Sequence, residues 1–186
     1  LLSAQRVQVG DLLLAMPANG FHSNGYSLIR HILATKKLDL GHTYQELGRS
    51  LGEELLRPTQ IYTRDCLVLI KVLGTHLRTF AHITGGGLAA NTARVIPSHL
   101  TARFDRATWA LPVATELLAT LGGVQQVDYE RTWNCGVGMV ALIAPEQADL
   151  ALATLAASGM HAWIAGEVTS QANPQGATLE GSHQAR

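Results

Sequence analysis

Surplus charge is the first thing missing from this 186-residue chain: 14 Lys+Arg balance 14 Asp+Glu, and charged residues make up only 15% of the total. Sequence-independent binding of a polyphosphate depends on excess Lys and Arg. With no basic tail or stripe present, a general nucleic-acid or membrane-surface role is excluded. Cysteine is nearly missing too. Cys66 and Cys135 lie far apart among apolar or glycine neighbours, with no CxxC and no nearby Cys/His set, which reads as a reduced, cytoplasmic chain. No apolar run is long enough to span a bilayer; residues 11–16 read instead as a buried strand. The initiator Met is also absent. The chain opens on Leu1-Leu2-Ser3 and runs almost at once into that strand, as expected of a piece of a longer protein.

What remains is 47% hydrophobic. That fits one compact domain, or at most two small ones, burying roughly 70% of its unfolded surface without a disulfide or metal staple. Arginine outnumbers lysine eleven to three, and arginine suits bidentate recognition of phosphate and carboxylate.

Periodicity predicts alternating strands and helices. A strand over 11–16 closes at Pro17. A polar loop leads to a helix from Tyr26 to Leu33, with Ser23 or Asn24 available to cap it. Residues 35–45 read as a connection. A helix from Leu47 to Leu56 ends at Pro58, with Glu53-Glu54 on a solvated face, and a second places Tyr62, Cys66, Leu69, Ile70 and Leu73 at helical spacing. Strands are predicted at 79–83, 100–105, 137–143 and 162–168. Helices are predicted at 88–96, from Pro112 to Gly122, and from Pro145 to Ala157. The tail 171–186, polar with Asn173-Pro174, reads as loosely ordered. The result is an α+β fold, a mixed sheet with helices packed on it. No repeat, GxGxxG, GxxxxGKS, HExxH or paired-Asp motif occurs.

Three glycine-containing segments sit where chemistry can occur. In Asn19-Gly20-Phe21-His22-Ser23-Asn24-Gly25, imidazole, hydroxyl and amide groups crowd a helix start, whose free N–H groups suit a phosphate or an oxyanion. A helix cap with an incidental His explains the same residues. Thr84-Gly85-Gly86-Gly87 follows a strand and precedes a helix; either phosphate binding by successive N–H groups or a tight turn accounts for three costly glycines. In Arg131-Thr132-Trp133-Asn134-Cys135-Gly136-Val137-Gly138-Met139, the alternating glycines leave one strand face without side chains, open to a ligand or to a neighbouring backbone; a glycine-thinned strand packed against a helix, with Arg131 in solvent, explains the same residues. Arg131 and Asn134 are the donors beside that space. His82 is a further candidate, and no metal ligand set is evident.

Taken in order, six motifs resemble the C-terminal domain of phosphoribosylformylglycinamidine cyclo-ligase, the aminoimidazole ribonucleotide synthetase family. They are 20–27, Pro58-Thr59-Gln60-Ile61-Tyr62, Ala81-His82-Ile83-Thr84-Gly85-Gly86-Gly87, Trp109 with Pro112, 131–139, and Ile164-Ala165-Gly166-Glu167-Val168. The resemblance implies ATP-dependent ring closure of formylglycinamidine ribonucleotide. His22 and Asn24 are then catalytic, with His22 polarising or transferring a proton. Ser23, Gly25, Thr84, Gly85, Gly86, Gly87, Arg131 and Asn134 are then substrate-binding. It further implies that residues 1–170 form this domain, and that ATP and Mg2+ are held mainly by a preceding N-terminal domain, in a full-length homodimer. This chain alone is then expected not to turn over. Where the family commonly reads Glu-Asn-x-Pro-Arg after the glycines, this chain has Ala90-Asn91-Thr92-Ala93-Arg94. The related formylglycinamidine ribonucleotide synthase, selenophosphate synthetase, thiamine-monophosphate kinase and hydrogenase-maturation proteins share the expected architecture. A non-catalytic phosphate-ligand-binding domain is the alternative from another class.

Overall fold

Five consecutive apolar side chains before Pro17 are the pattern of a strand covered on both faces. In the computed structural model, which describes residues 1–170, 173 and 175–185, Leu12–Pro17 is β1, an inner strand of a six-stranded sheet. The other strands are β2 (Thr43–Tyr44), β3 (Arg49–Ser50), β4 (Leu77–His82), β5 (Thr101–Asp105), β6 (Val137–Ile143), β7 (Trp163–Thr169) and β8 (Ala177–Glu180). The helices are α1 (Tyr26–Lys36), α2 (Leu51–Leu55), α3 (Thr63–Leu73), α4 (Gly87–Ala93), α5 (Val113–Gly122), α6 (Gln126–Thr132) and α7 (Ala148–Ala157). The large sheet runs β4-β6-β1-β7-β5-β8, and β2 pairs only with β3. Every pair is antiparallel except β5 with β8. The fold is therefore α+β, a mixed sheet carrying packed helices.

Alternation along β1 divides the core. Leu13 and Ala15 pack with Val140, Phe104 and Leu88 of α4. Leu14 and Met16 pack on the other face with Leu69 and Leu73 of α3 and with Leu155 of α7. Each buried Leu or Ile contributes about 1.5–3 kcal/mol. A third cluster stands beside the sheet, where Phe21 and Trp133 join Ile29 and Ile32 of α1, Leu51 of α2 and Leu118 of α5. The loop after β1 is held between that cluster and the sheet.

The structure revises several expectations. Residues 35–45 are not a plain connection: α1 runs on to Lys36, and the β2–β3 hairpin follows. α2 begins at Leu51 rather than Leu47, because Ser50 caps it reciprocally with Glu53. Glu54 is not solvated; it is 5% exposed and lies between Arg49 and Arg57. Helix α6 has no counterpart in the sequence reading and takes in Arg131 and Thr132, ahead of the strand that begins at Val137 as expected. Ile70, placed on the core-facing stripe of α3, is 39% exposed.

Within the tail, Ala177–Glu180 is not loose but forms β8 along β5. Arg106 explains why. Its guanidinium grips Glu130 at 2.7 and 2.8 Å and donates to the carbonyls of Leu179 (2.6 Å) and Gly181 (3.2 Å). His183 then packs edge-on against Trp109, with ring centroids 4.9 Å apart. Of the same tail, Gln171, Ala172, Pro174 and Arg186 lie outside the described residues.

Candidate functional site

The loop 18–25 is built on the end of β6. Ala18 N–H donates to Gly136 O at 2.8 Å. Asn134, 3% exposed, donates its amide to Gly20 O and accepts from Gly136 N–H, both at 2.8 Å. Its polar atoms are thus committed to backbone, where they brace the loop. The glycine-thinned face of β6 is filled by this chain itself. A Cβ on Gly138 would overlap the Tyr62 hydroxyl and lie 2.6 Å from His22 Cε1. The Tyr62 hydroxyl donates to Pro17 O at 2.7 Å, and burial pushes its pKa up.

His22 is 4% exposed. Its Nε2 accepts N–H bonds from Asn19 (2.8 Å) and Gln60 (3.3 Å), which places the ring proton on Nδ1. That Nδ1 is buried and has no hydrogen-bond partner among the described residues. Burial, and secondarily His82, lower the His22 pKa from 6.5 to about 4, so the ring is neutral near pH 7. Tyr62 lies between the two imidazoles, 6.0 Å from His22 and 6.3 Å from the exposed His82, centroid to centroid.

His22 and Ser23 both adopt left-handed backbone, φ 51° and 57°. This conformation is uncommon without glycine and persists only where surrounding contacts impose it. The anticipated cap by Ser23 or Asn24 does not form; Gly25, at φ 69°, occupies the N-cap of α1 with no side-chain bond. A side chain there would strike the Trp133 indole, 2.8 Å from Nε1. Ser23 is free and exposed. With Ser27 and Arg30 it lines an open cleft of about 600 Å³ over the first turn of α1.

Asn24 joins the first two glycine segments. Its Nδ2 donates to His22 O at 2.8 Å, and its Oδ1 accepts from Gly85 N–H at 3.1 Å. The Thr84–Gly87 turn is latched from behind by Asn91, whose amide donates to the carbonyls of Thr84 (3.2 Å), Gly85 (3.3 Å) and Gly87 (2.8 Å). Gly87 N–H returns to Thr84 O at 3.3 Å. With Gly85 and Gly87 so engaged, the turn offers fewer free amides than a phosphate cradle would. Gly87, at φ 76°, is required sterically as well, since a Cβ there would overlap Glu130 O. Arg131 follows Glu130 directly and is exposed beside Gly86 in a groove of about 490 Å³.

The ten residues singled out from sequence therefore form one region with two kinds of member. Ser23 and Arg131 present free polar groups, whereas His22, Asn24, Thr84, Asn134 and the glycines build the frame, the Thr84 hydroxyl donating to Asn91 Oδ1 at 3.2 Å. Missed were Tyr62 as a wedge, Asn91 as a latch, and the Glu54–Arg57–Asn19 chain. Asn91 was readable from its place four residues after Gly87, within helical reach of that carbonyl. Ala90 and Ala93 do not weaken the latch: Ala90 is exposed, and Arg94 donates to Asn91 Oδ1 at 3.2 Å.

Neither cysteine is poised as a nucleophile. Burial pushes the Cys66 pKa up to about 11 and raises that of Cys135 further. Among the described residues no group of three or more His, Cys, Asp or Glu side chains converges on a metal position, and no helix is long and apolar enough to cross a membrane.

Known proteins resemble this chain in fold and in sequence. A hydrogenase maturation protein HypE superimposes with a TM-score of 0.64 at 19% identity, covering 96% of this chain and 51% of its own. Thiamine-monophosphate kinase from Stenotrophomonas maltophilia gives 0.62 at 20%, covering 98% and 54%. At those identities the likeness concerns the fold alone. Sequence relatives are nearer. A Streptomyces fradiae protein provisionally named a phosphoribosylformylglycinamidine cyclo-ligase is 52% identical over 89% of this chain and 90% of its own length. Phosphoribosylformylglycinamidine cyclo-ligases of Desulfitobacterium hafniense and Sorangium cellulosum are 42% and 39% identical over 92% and 91% of this chain, which spans 49% of each. The family described as AIR synthase related protein, C-terminal domain, matches residues 8–177, and the chain belongs to that family.

Proposed function

We propose that this chain is the substrate-side domain of an ATP-dependent cyclo-ligase that closes the imidazole ring of aminoimidazole ribonucleotide from formylglycinamidine ribonucleotide. The observation that carries the reading is the Asn24 side chain, bonded to His22 O and Gly85 N–H, which fixes two glycine-rich turns as one surface. Relatives at 39–52% identity favour the cyclo-ligase over the kinase and maturation proteins, which are alike in fold only.

In this reading the open groups face the ribonucleotide. The Ser23 and Ser27 hydroxyls, the Arg30 guanidinium and the first amides of α1 take an anionic part of the substrate, and Arg131 serves from the far side of the Gly86 turn. His22 works by position. Its neutral ring has one nitrogen engaged by two amides and the other shielded, so it holds the loop rather than relaying protons to substrate. Positioning of this kind is a large part of catalysis in phosphoryl and acyl-phosphate chemistry.

ATP supports the proposal through fold relatives, one a HypE in complex with ATP and one a thiamine-monophosphate kinase complexed with AMPPCP and TMP. Among the described residues no three His, Cys, Asp or Glu side chains converge, so they do not fit a magnesium site. Glu54, a buried carboxylate linked to the loop through Arg57 and Asn19, is engaged by Arg49 and Arg57. Metal and most ATP contacts are therefore assigned to the other half of a full-length, homodimeric, cytoplasmic enzyme. The test compares the full-length protein with this chain, given ATP, magnesium and substrate. Product from the full-length protein and none from the chain is expected, and robust turnover by the chain alone sinks the division of roles.

A further inference from the structure

Glu54 is a buried carboxylate, and a charge in that position persists only with partners. It has two. Arg57 Nη1 lies 3.1 Å from Oε1, and Arg49 Nε lies 3.6 Å from Oε2. The first of these orients the Arg57 guanidinium so that its other terminal nitrogen donates to Asn19 Oδ1. Asn19 is doubly held, because its Nδ2 donates to Pro58 O at 2.8 Å. The backbone N–H of this same Asn19 makes the shorter of the two bonds to His22 Nε2, 2.8 Å against 3.3 Å for Gln60.

We infer that Arg57 is a positioning residue for the His22 loop, acting through the Asn19 side chain to aim the Asn19 N–H at His22 Nε2. This role rests on the reading of the loop as the substrate site, but its geometry stands apart from the reaction. A left-handed His22-Ser23 pair is costly for residues with a Cβ, so the loop needs contacts that over-determine it. The Glu54–Arg57–Asn19 chain supplies one from α2, independent of the braces from β6. Arg49 shares Glu54 but makes no bond to Asn19, and so provides an internal control. Arg57 also lines a cleft of about 320 Å³.

Nitrogen NMR of the His22 ring in this 186-residue chain tests the inference directly. In the unaltered protein the ring should show a single neutral tautomer with the proton on Nδ1. The titratable groups facing it, His82 and Tyr62, are unchanged in every variant. Arg57→Met should mix the tautomers and raise the titration midpoint by about one pH unit or more, toward the ordinary histidine value. Millimolar methylguanidinium should restore the single tautomer by entering the vacated space. Asn19→Ala should mix the tautomers without rescue, and it decides the question if Arg57→Met fails to fold. Arg49→Met should leave the ring as it was. An unchanged ring in a folded Arg57→Met or Asn19→Ala variant overturns the inference. So does an equal change in Arg49→Met, or a failure of methylguanidinium to restore the signal. In the full-length protein, Arg57→Met should lower kcat/KM about tenfold. Loss of the NMR effect rejects the positioning role, while a silent assay beside an intact NMR effect rejects only the assigned reaction.

Discussion

The Tyr62 hydroxyl occupies the space that a side chain on residue 138 would need, so Gly138 and Tyr62 are a matched pair across β6 and α3's entry. Their fit holds the Tyr62 ring beside His22 and lets the hydroxyl reach Pro17 O. Gly138→Ala should therefore cost about 3 kcal/mol through overpacking. Urea denaturation measures it, and combination with Tyr62→Ala should recover part of the loss. An additive double variant would mean that the two residues do not share this space.

Neutral burial of His22 sets a pH dependence. Its folded pKa, about 4, lies below the unfolded value of 6.5, so between these values the unfolded state binds more protons. Stability should rise with pH across that window and level off above it, with roughly 3 kcal/mol lost once pH falls below 4. The lowered pKa of the half-buried His183 has the same sign. Urea midpoints measured from pH 4 to 7.5 should slope upward, and His22→Gln should flatten much of the slope.

Asn91→Ala removes the donor to three carbonyls of the Thr84–Gly87 turn. About 2 kcal/mol of stability should go with it. Hydrogen exchange at Gly85 and Gly87 should quicken well beyond what the global change accounts for.

Arg106→Met should release β8. Glu130 then keeps a largely covered carboxylate without its guanidinium, a loss of about 3–5 kcal/mol. Amide protection over Ala177–Glu180 should fall first, which exchange measured by mass spectrometry resolves by segment.

Asn24→Ala in the full-length protein should lower kcat/KM about 100-fold, with folding intact, because the two turns lose their shared anchor. Steady-state kinetics beside a thermal melt checks both halves of the statement.

The residues that announce this fold are those whose local pattern and tertiary role agree. The apolar run before Pro17 and the helical spacing of Leu69 and Leu73 read correctly as buried positions, whereas Gly25 and Gly138 are crowded by the side chains of Trp133 and Tyr62, which the motifs alone do not place there. Helix α6 escaped the sequence reading because it ends inside the 131–139 motif, where the glycines draw attention to the strand that follows. β8 was invisible because its four residues pair with a strand far away, and its anchor is a side chain, Arg106, on another element. The candidate site divided in the same way. Its membership was present in the motifs, but the distinction between a free hydroxyl at Ser23 and a committed amide at Asn134 depends on partners that only the folded chain brings near.

β1 pairs with β6 and β7, Leu12 lying opposite both Ile143 and Glu167. Within this chain β1 thus gains both neighbours only across long stretches of sequence, and closing so long a loop is slow. The turn that carries His22 and Asn24 leaves directly from that strand and is braced by Asn134 and Gly136. It therefore takes shape late, after the helical segments between have had time to form. Until then a run of Leu12, Leu13, Leu14, Ala15 and Met16 stands without a mate, and an apolar strand left unpaired in this way is prone to aggregate.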